Sequence, residues 1–182
     1  NNQIREYYII HIRNIIMVKI LTLTTVHNRK NKTIKAITDL YNQKLTNNVS
    51  LSHCVVDDGS SDGTTEIISK KFPDVEIIKG NGNLFWVGGM VFGLKHSTKL
   101  KRFDYLLAYN DDIHLYPNAL QHLINTSNEY TNEKGVKEHI VVGSFKDSYN
   151  QNTTYGGLIR SSWWHPLRFV RLDPPKKKNV FV

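Results

Sequence analysis

From Val18 onward, apolar residues switch back and forth between strand-like runs and helical spacing. VKILTLTTV (18–26) is a β-rich run that stops at polar HNRKN. In KTIKAITDLYNQKL, which follows, Ile34, Ile37, Leu40, Tyr41 and Leu45 recur at helical spacing. SLSHCVVDD reads as a second strand. GSSDGTTEIISKKF then opens on helix-capping residues and sets Ile67, Ile68 and Phe72 on one helical face. VEIIK (75–79) predicts a short third strand before the glycine-rich GNGNLFWVGGMVFGLKHS. The latter half of that stretch, through Val87, Val91 and Leu94, predicts a helix despite Gly88, Gly89 and Gly93. FDYLLAY (103–109) is the fourth strand, and PNALQHLINTS is a helix with proline in its first turn. HIVVGSF (139–145) reads as another strand, after which the signal fades through TTYGGLIRSSWWHPLRF. Four β-α units predict an α/β fold with a mainly parallel sheet, right-handed crossovers and helices on both faces. Ligands of such sheets bind beyond the carboxyl ends of the strands.

Composition narrows the class. With 182 residues, 40% of them hydrophobic, the chain can bury the core of one domain, with at most a small appendage. Its single cysteine, Cys54, lies in an apolar strand pattern and reads as an inert core residue, which suits a reducing, cytoplasmic compartment. A net charge of +8 favours a phosphorylated ligand, a polyanion or an acidic membrane surface. The only dense basic run, PPKKKN at 174–179, reads as a solvated loop. No segment has the roughly 18 consecutive apolar residues that span a bilayer. Residues 1–16 are apolar, but Arg5, Glu6, His11 and Arg13 interrupt them and no signal-peptide cleavage site follows. They read as an N-terminal extension ahead of Met17, and peripheral contact with the inner face of a membrane through residues 4–16 stays open. The abrupt end at NVFV reads as that of a fragment.

Two strands end on adjacent aspartates, Asp57-Asp58 and Asp111-Asp112. Neighbouring carboxylates at a ligand-binding edge repel each other unless a cation or a donor-rich ligand compensates. Mg²⁺ commonly takes one or two protein carboxylates and completes its shell with substrate phosphates and water. The Asp111-Asp112 pair is therefore suited to a metal-bound diphosphate, although Asp112 capping a turn while Asp111 faces solvent accounts for it equally well. Asp57-Asp58 precedes a turn-and-cap sequence and either caps backbone N–H groups or accepts hydrogen bonds from a base or a ribose.

The loop after the first strand lacks the G-x-G-x-x-G dinucleotide fingerprint. It offers Thr25, His27, Asn28 and Arg29 to a planar base and a phosphate, while His27 by itself also reads as a surface histidine. In GNGNLFWVGGMVFG (80–93) the glycines let a ligand approach the backbone closely. Phe85 there reads as a core plug, and Trp86 as either core or pocket wall. Trp163, Trp164 and His165 suggest a sugar-stacking surface, with core filling or partner packing as alternatives.

Taken in order, LTTVHNR, VVDDGSSDGT, GNGNLFWVGGMVFG and YNDDIHLYP resemble the nucleotide-sugar-binding half of a family 2 inverting glycosyltransferase with the GT-A (Rossmann-like) fold, of rhamnosyltransferase-like type. The resemblance covers residues 18–145. It implies a nucleotide-sugar-binding domain over 17–145 and, over 146–182, the start of an acceptor-side region truncated before that part is complete. It further implies that Thr25 and His27 contact the nucleobase, with Arg29 beside them, and that Asp58 reads the base with Asp57 in support. Asn83, Trp86 and the Gly88-Gly89 pair would line the ribose and donor sugar. Asp112 would bind Mn²⁺ or Mg²⁺, with Asp111 sharing the metal or contacting the sugar. The asparagine the family usually has in GGMN is Val91 here, a departure from the family's pattern at that sugar contact. The implied partners are a nucleotide-diphosphate sugar and a glycan or lipid-linked acceptor. The implied general base is a later carboxylate, and the late aspartates Asp147 and Asp173 do not sit in a matching context, which places the base beyond Val182. A non-catalytic sugar-nucleotide-binding module is the alternative. Nucleic-acid binding is disfavoured, because acidic pairs at the ligand edge repel phosphate unless a metal is bound and no nucleic-acid motif is present.

Overall fold

The computed structural model describes residues 17–100, 102–146, 153–155, 158–160, 162, 164 and 169–171. The extension 1–16, Asp147, Asp173, Trp163, His165 and the basic run 174–179 lie outside the described residues. The chain divides into two compact units: the described residues up to Ile34 with Thr46–Ile113, and Lys35–Leu45 with the described residues from His114 onward.

The first unit is built on a parallel four-stranded sheet in the order β3-β2-β1-β4. Its strands are β1 (Val18–Val26), β2 (Val49–Asp57), β3 (Glu76–Lys79) and β4 (Tyr105–Ala108). The helices are α1 (Lys30–Tyr41), which runs on into the second unit, α2 (Thr64–Lys71) and α3 (Phe85–Leu100). The sheet grows outward from β1 through β2 to β3, then returns through α3 to place β4 on the other side of β1. The direction of winding therefore reverses between β1 and β4, which is where α/β sheets open a crevice beyond their strand ends.

Strand alternation sorts the side chains between the two faces. Leu21 and Leu23 of β1, Cys54 and Val56 of β2 and Ile78 of β3 form one buried cluster, against which Leu84, Met90, Leu94 and Phe103 pack. Each such fully buried aliphatic side chain contributes roughly 1.5–3 kcal/mol. The opposite face is more polar. Thr22 and His53 are buried there and share a 2.9 Å hydrogen bond between Oγ1 and Nδ1. Helix α3 comes close to the sheet because Gly89, Gly93 and Ser97, spaced four apart, are its buried positions among the described residues. A Cβ at Gly93 would fall 2.6 Å from Val56 Cγ2 and 2.7 Å from Leu23 Cδ1.

The second unit contains α4 (Ala119–Lys134), which ends on Gly135 in the left-handed conformation, φ +69°. Two short antiparallel pairs follow: β5 (Phe145–Lys146) with β6 (Thr153–Tyr155), and β7 (Leu158–Arg160) with β8 (Phe169–Arg171). The strand expected over 139–145 is reduced to an isolated bridge at Ile140 and the two residues of β5. Ile140 is 70% and Val142 52% exposed, so their β-branched side chains gain no burial, and burial is most of what strand propensity measures. No described helix is long and apolar enough to cross a membrane.

Candidate functional site

The loops that leave β1 and β2 are laced together. His27 Nδ1 lies 2.6 Å from the carbonyl oxygen of Asp58, and a carbonyl can only accept, so Nδ1 carries the hydrogen. Nε2 is then the acceptor for Asn28 Nδ2–H at 3.1 Å. Asn28 has φ +52°, a left-handed conformation that asparagine tolerates. Its N–H donates to Ser60 Oγ at 2.9 Å, and its Oδ1 accepts from Ser61 N–H at 2.7 Å. One residue on, Asp62 Oδ2 accepts from Lys30 N–H at 3.0 Å, capping α1 from the neighbouring loop. Asp62 Oδ1 accepts from Thr64 N–H at 3.0 Å, at the first turn of α2.

The first acidic pair organises two different loops. Asp57, fully buried, accepts from Ser60 N–H at 2.8 Å, from the Thr65 hydroxyl, and from Lys79 Nζ at 3.2 Å. Burial pushes its pKa up, but the bonds from Ser60, Thr65 and Lys79 together outweigh that and hold it below the ordinary value. Asp58, also buried, turns toward the glycine-rich loop. Gly82 N–H donates to Oδ1 at 2.8 Å, and Leu84 and Phe85 N–H donate to Oδ2 at 2.8 and 3.0 Å. A carboxylate at the first turn of α3 thus satisfies amides with no partner inside the helix and faces the positive end of its dipole. Among the described residues Oδ1 accepts one of these bonds and Oδ2 two. The close approach of this loop depends on Gly80, where a Cβ would fall 2.6 Å from Asp58 Oδ1.

Two aromatic expectations are decided by that grip. Phe85, expected as a core plug, is 77% exposed, because the pinned backbone holds it at φ +54° with its ring outward. Leu84 takes the place against the core instead. Trp86 is 49% exposed and so does not fill the core.

The second acidic pair follows β4. Pairing with β1 continues one residue past the strand, from Tyr109 N–H to Leu23 O at 3.2 Å, and the Tyr109 ring is buried. Asp111 is then buried and Asp112 exposed, the reverse of the arrangement in which Asp111 faces solvent. Arg29 Nη1 lies 3.2 Å from Asp111 Oδ1 and 3.0 Å from Asp112 Oδ2. Lys32 Nζ stands 3.9 Å from the same Asp112 oxygen, and the Thr33 hydroxyl donates to Asp111 Oδ2 at 3.4 Å. Burial pushes the Asp111 pKa up, Arg29 pulls it down and Asp112 pushes it up again, leaving it raised.

No group of three or more His, Cys, Asp or Glu side chains able to hold a metal exists among the described residues. Asp112 offers a hard, accessible oxygen, since Oδ1 takes no hydrogen bond among the described residues and the side chain is 36% exposed. One or two carboxylates fit an ion whose remaining ligands are phosphate and water, and do not fit a closed protein cage.

The loop 27–29 brings the two pairs to one rim: His27 holds the backbone at Asp58, and Arg29 holds Asp111 and Asp112. Asn83 is exposed near that rim, its N–H tied to Asn81 Oδ1 at 3.0 Å, and Val91 is also exposed. Thr25 lies beneath it, 8% exposed, with no partner for its hydroxyl among the described residues. Thr25 is pressed against Gly89, where a Cβ would fall 2.9 Å from Thr25 Cβ. Gly88 is different, since a Cβ there would meet only Leu84, at 3.5 Å or more. Asp62 and Lys79 were missed as organisers of the site. Asp62 was visible only as part of a turn, and Lys79 carried no signal. A cavity of about 310 Å³ lined by Lys19, Ser50, Ser52, Arg102 and Phe103 lies at the opposite, amino-terminal edge of the strands.

The profile of the family described as Glycosyl transferase family 2 matches residues 22–182. No curated protein matches the chain. Among solved structures, S. aureus TarS 1–349 in complex with UDP-GlcNAc is 16% identical over 70% of this chain and 39% of that one, with a TM-score of 0.52. The same TarS fragment in complex with UDP gives 16% identity, 70% and 40% coverage and a TM-score of 0.51. The mannosyltransferase PcManGT from Pyrobaculum calidifontis, in complex with GDP-Man and Mn²⁺, is 14% identical over 58% of this chain and 31% of that one. At a TM-score of 0.46 that last likeness is too slight to argue from. The TarS likeness shows the GT-A fold, and the chain spans about two fifths of the TarS chain, 39–40%.

Proposed function

Because the chain belongs to glycosyl transferase family 2, we propose that it binds a nucleotide-diphosphate sugar for metal-assisted transfer, with inversion, to a glycan or lipid-linked acceptor. What supports this reading most is one juxtaposition. Both acidic pairs reach the carboxyl-end rim of the parallel sheet, joined through His27 and Arg29, where its winding reverses. Asp58 and His27 would receive the base, with Asn83, Trp86 and Gly88 along the ribose and sugar. Arg29 and Lys32 would meet the diphosphate. Asp112, with Asp111 beside it, would hold Mn²⁺ or Mg²⁺. Such an ion, when bound, neutralises charge on the departing nucleoside diphosphate. The acceptor hydroxyl would attack the anomeric carbon from the face opposite the leaving group and pass its proton to a general base, which we assign to no described residue.

Thermal stabilisation tests the reading. UDP, dTDP and GDP, with their sugars, are titrated with and without Mn²⁺ against wild type and Asp112→Ala. One nucleotide class is expected to stabilise the wild type in a metal-dependent way. At a hundred times its dissociation constant the gain is about 2.7 kcal/mol, a shift of several degrees in a chain of this size. The variant is expected to lose the metal-dependent part. An equal response from both proteins removes Asp112 from the metal site.

A further inference from the structure

Within the acidic rim, one position is already held by a cation of the chain itself. Arg29 directs a single nitrogen at both acids, 3.2 Å from Asp111 Oδ1 and 3.0 Å from Asp112 Oδ2, and Lys32 adds a second positive charge 3.9 Å from Asp112. The formal charges of these four groups cancel. A divalent ion of the Mg²⁺ type needs oxygen contacts of about 2.0–2.1 Å. On Asp112 Oδ2 it would displace the guanidinium, and on Oδ1 it would still add two positive charges beside Arg29 and Lys32, whose charges already balance the two acids. Capture of the ion is therefore favoured when Arg29 leaves, and among the described residues its side chain donates only to these two carboxylates. Without another anion it would move into water alone.

A diphosphate changes that balance. Phosphate oxygens accept the planar guanidinium fork in pairs, so Arg29 can exchange carboxylates for phosphates. The same phosphates complete the ion's coordination. The Arg29 side chain is 48% exposed, which leaves room for it to swing. Asp111 explains why some cation must always be present: its carboxylate is only 7% exposed and would be costly to leave uncompensated. We propose that Arg29 is the resident counter-cation of Asp111 and Asp112 and makes their capture of a divalent metal conditional on the donor's diphosphate. The inference rests on the metal-assisted reading and deepens it, since metal and diphosphate must then raise each other's affinity by one common factor.

Mn²⁺ binding to the full chain, followed by the loss of the free-ion electron paramagnetic resonance signal, tests this. Wild type, Arg29→Gln, Arg29→Lys and Asp112→Asn are titrated alone and with saturating UDP, dTDP or GDP. In the wild type, the nucleotide that binds is expected to raise Mn²⁺ affinity about tenfold or more, within the usual range of coupling. Arg29→Gln is expected to bind Mn²⁺ alone roughly tenfold tighter than wild type and to lose most of the coupling. Arg29→Lys keeps the charge and is expected to stay within about threefold of wild type, which separates the charge effect from damage to the fold. If Arg29→Gln binds Mn²⁺ alone no tighter than wild type while Asp112→Asn abolishes nucleotide-linked binding, the counter-cation role is overturned and the metal site stands. If Asp112→Asn binds Mn²⁺ with nucleotide as well as wild type does, the metal-assisted reading itself falls.

Discussion

A methyl group added at Gly88 and one added at Gly89 meet opposite surroundings, although the two residues are adjacent on α3. Alanine improves a helix interior by roughly 0.5–1 kcal/mol over glycine. At Gly88 little opposes that gain, since the new carbon would lie 3.5 Å from Leu84 Cβ in ordinary contact. At Gly89 it would collide with Thr25, and overpacking of this kind costs about 1–3 kcal/mol. Gly88→Ala is therefore expected to raise the urea midpoint or leave it unchanged, and Gly89→Ala to lower it. Read along the chain, both glycines belong to a predicted helix in a stretch that lets a ligand approach the backbone. Only Gly89 also belongs to the stripe with Gly93 and Ser97, and that spacing of four was the available signal.

For the elements, the question is what starts each helix. Helix α3 begins under a carboxylate from another strand's end, Asp58, which accepts from the amides of Gly82, Leu84 and Phe85. In Asp58→Asn one oxygen becomes an NH₂ that faces donors, and a buried N–H left without a partner costs about 1–3 kcal/mol. Amide hydrogen exchange at Leu84 and Phe85 is expected to speed up by roughly five- to a hundredfold, while amides within α4 keep their rates. Unchanged exchange would remove Asp58 from its capping role. Strand β1, strand β2 and the two helices that follow them were legible because their apolar periods are distinct, with turn and cap residues marking the start of α2. The strand expected over 139–145 was not, because its apolar residues lack the burial that would have made them a strand.

At the scale of the whole molecule, pH acts on stability through Asp57. Its pKa is held below the ordinary value of 3.8, so it contributes stability that is in place above that value. The contribution is lost as pH falls through the lowered pKa, where the folded chain must finally take up a proton. Asp57→Asn is expected to cost roughly 1–3 kcal/mol at neutral pH. In urea unfolding the gap to wild type should narrow from pH 7 toward pH 3, and a gap independent of pH would rule out an electrostatic role.

By itself the sequence determined the α/β alternation, the parallel sheet and the two acidic strand ends, because periodicity, turn chemistry and strand-end position are local properties of a chain. It also carried the four ordered stretches that resemble a sugar-transfer family. Only the tertiary structure decided the partners. Gly82, 24 positions from Asp58, and Asp111, 82 positions from Arg29, give no local sign that these residues will meet. The first contact exists because β2 and β3 are parallel neighbours, the second because the winding reverses and sets β4 beside β1.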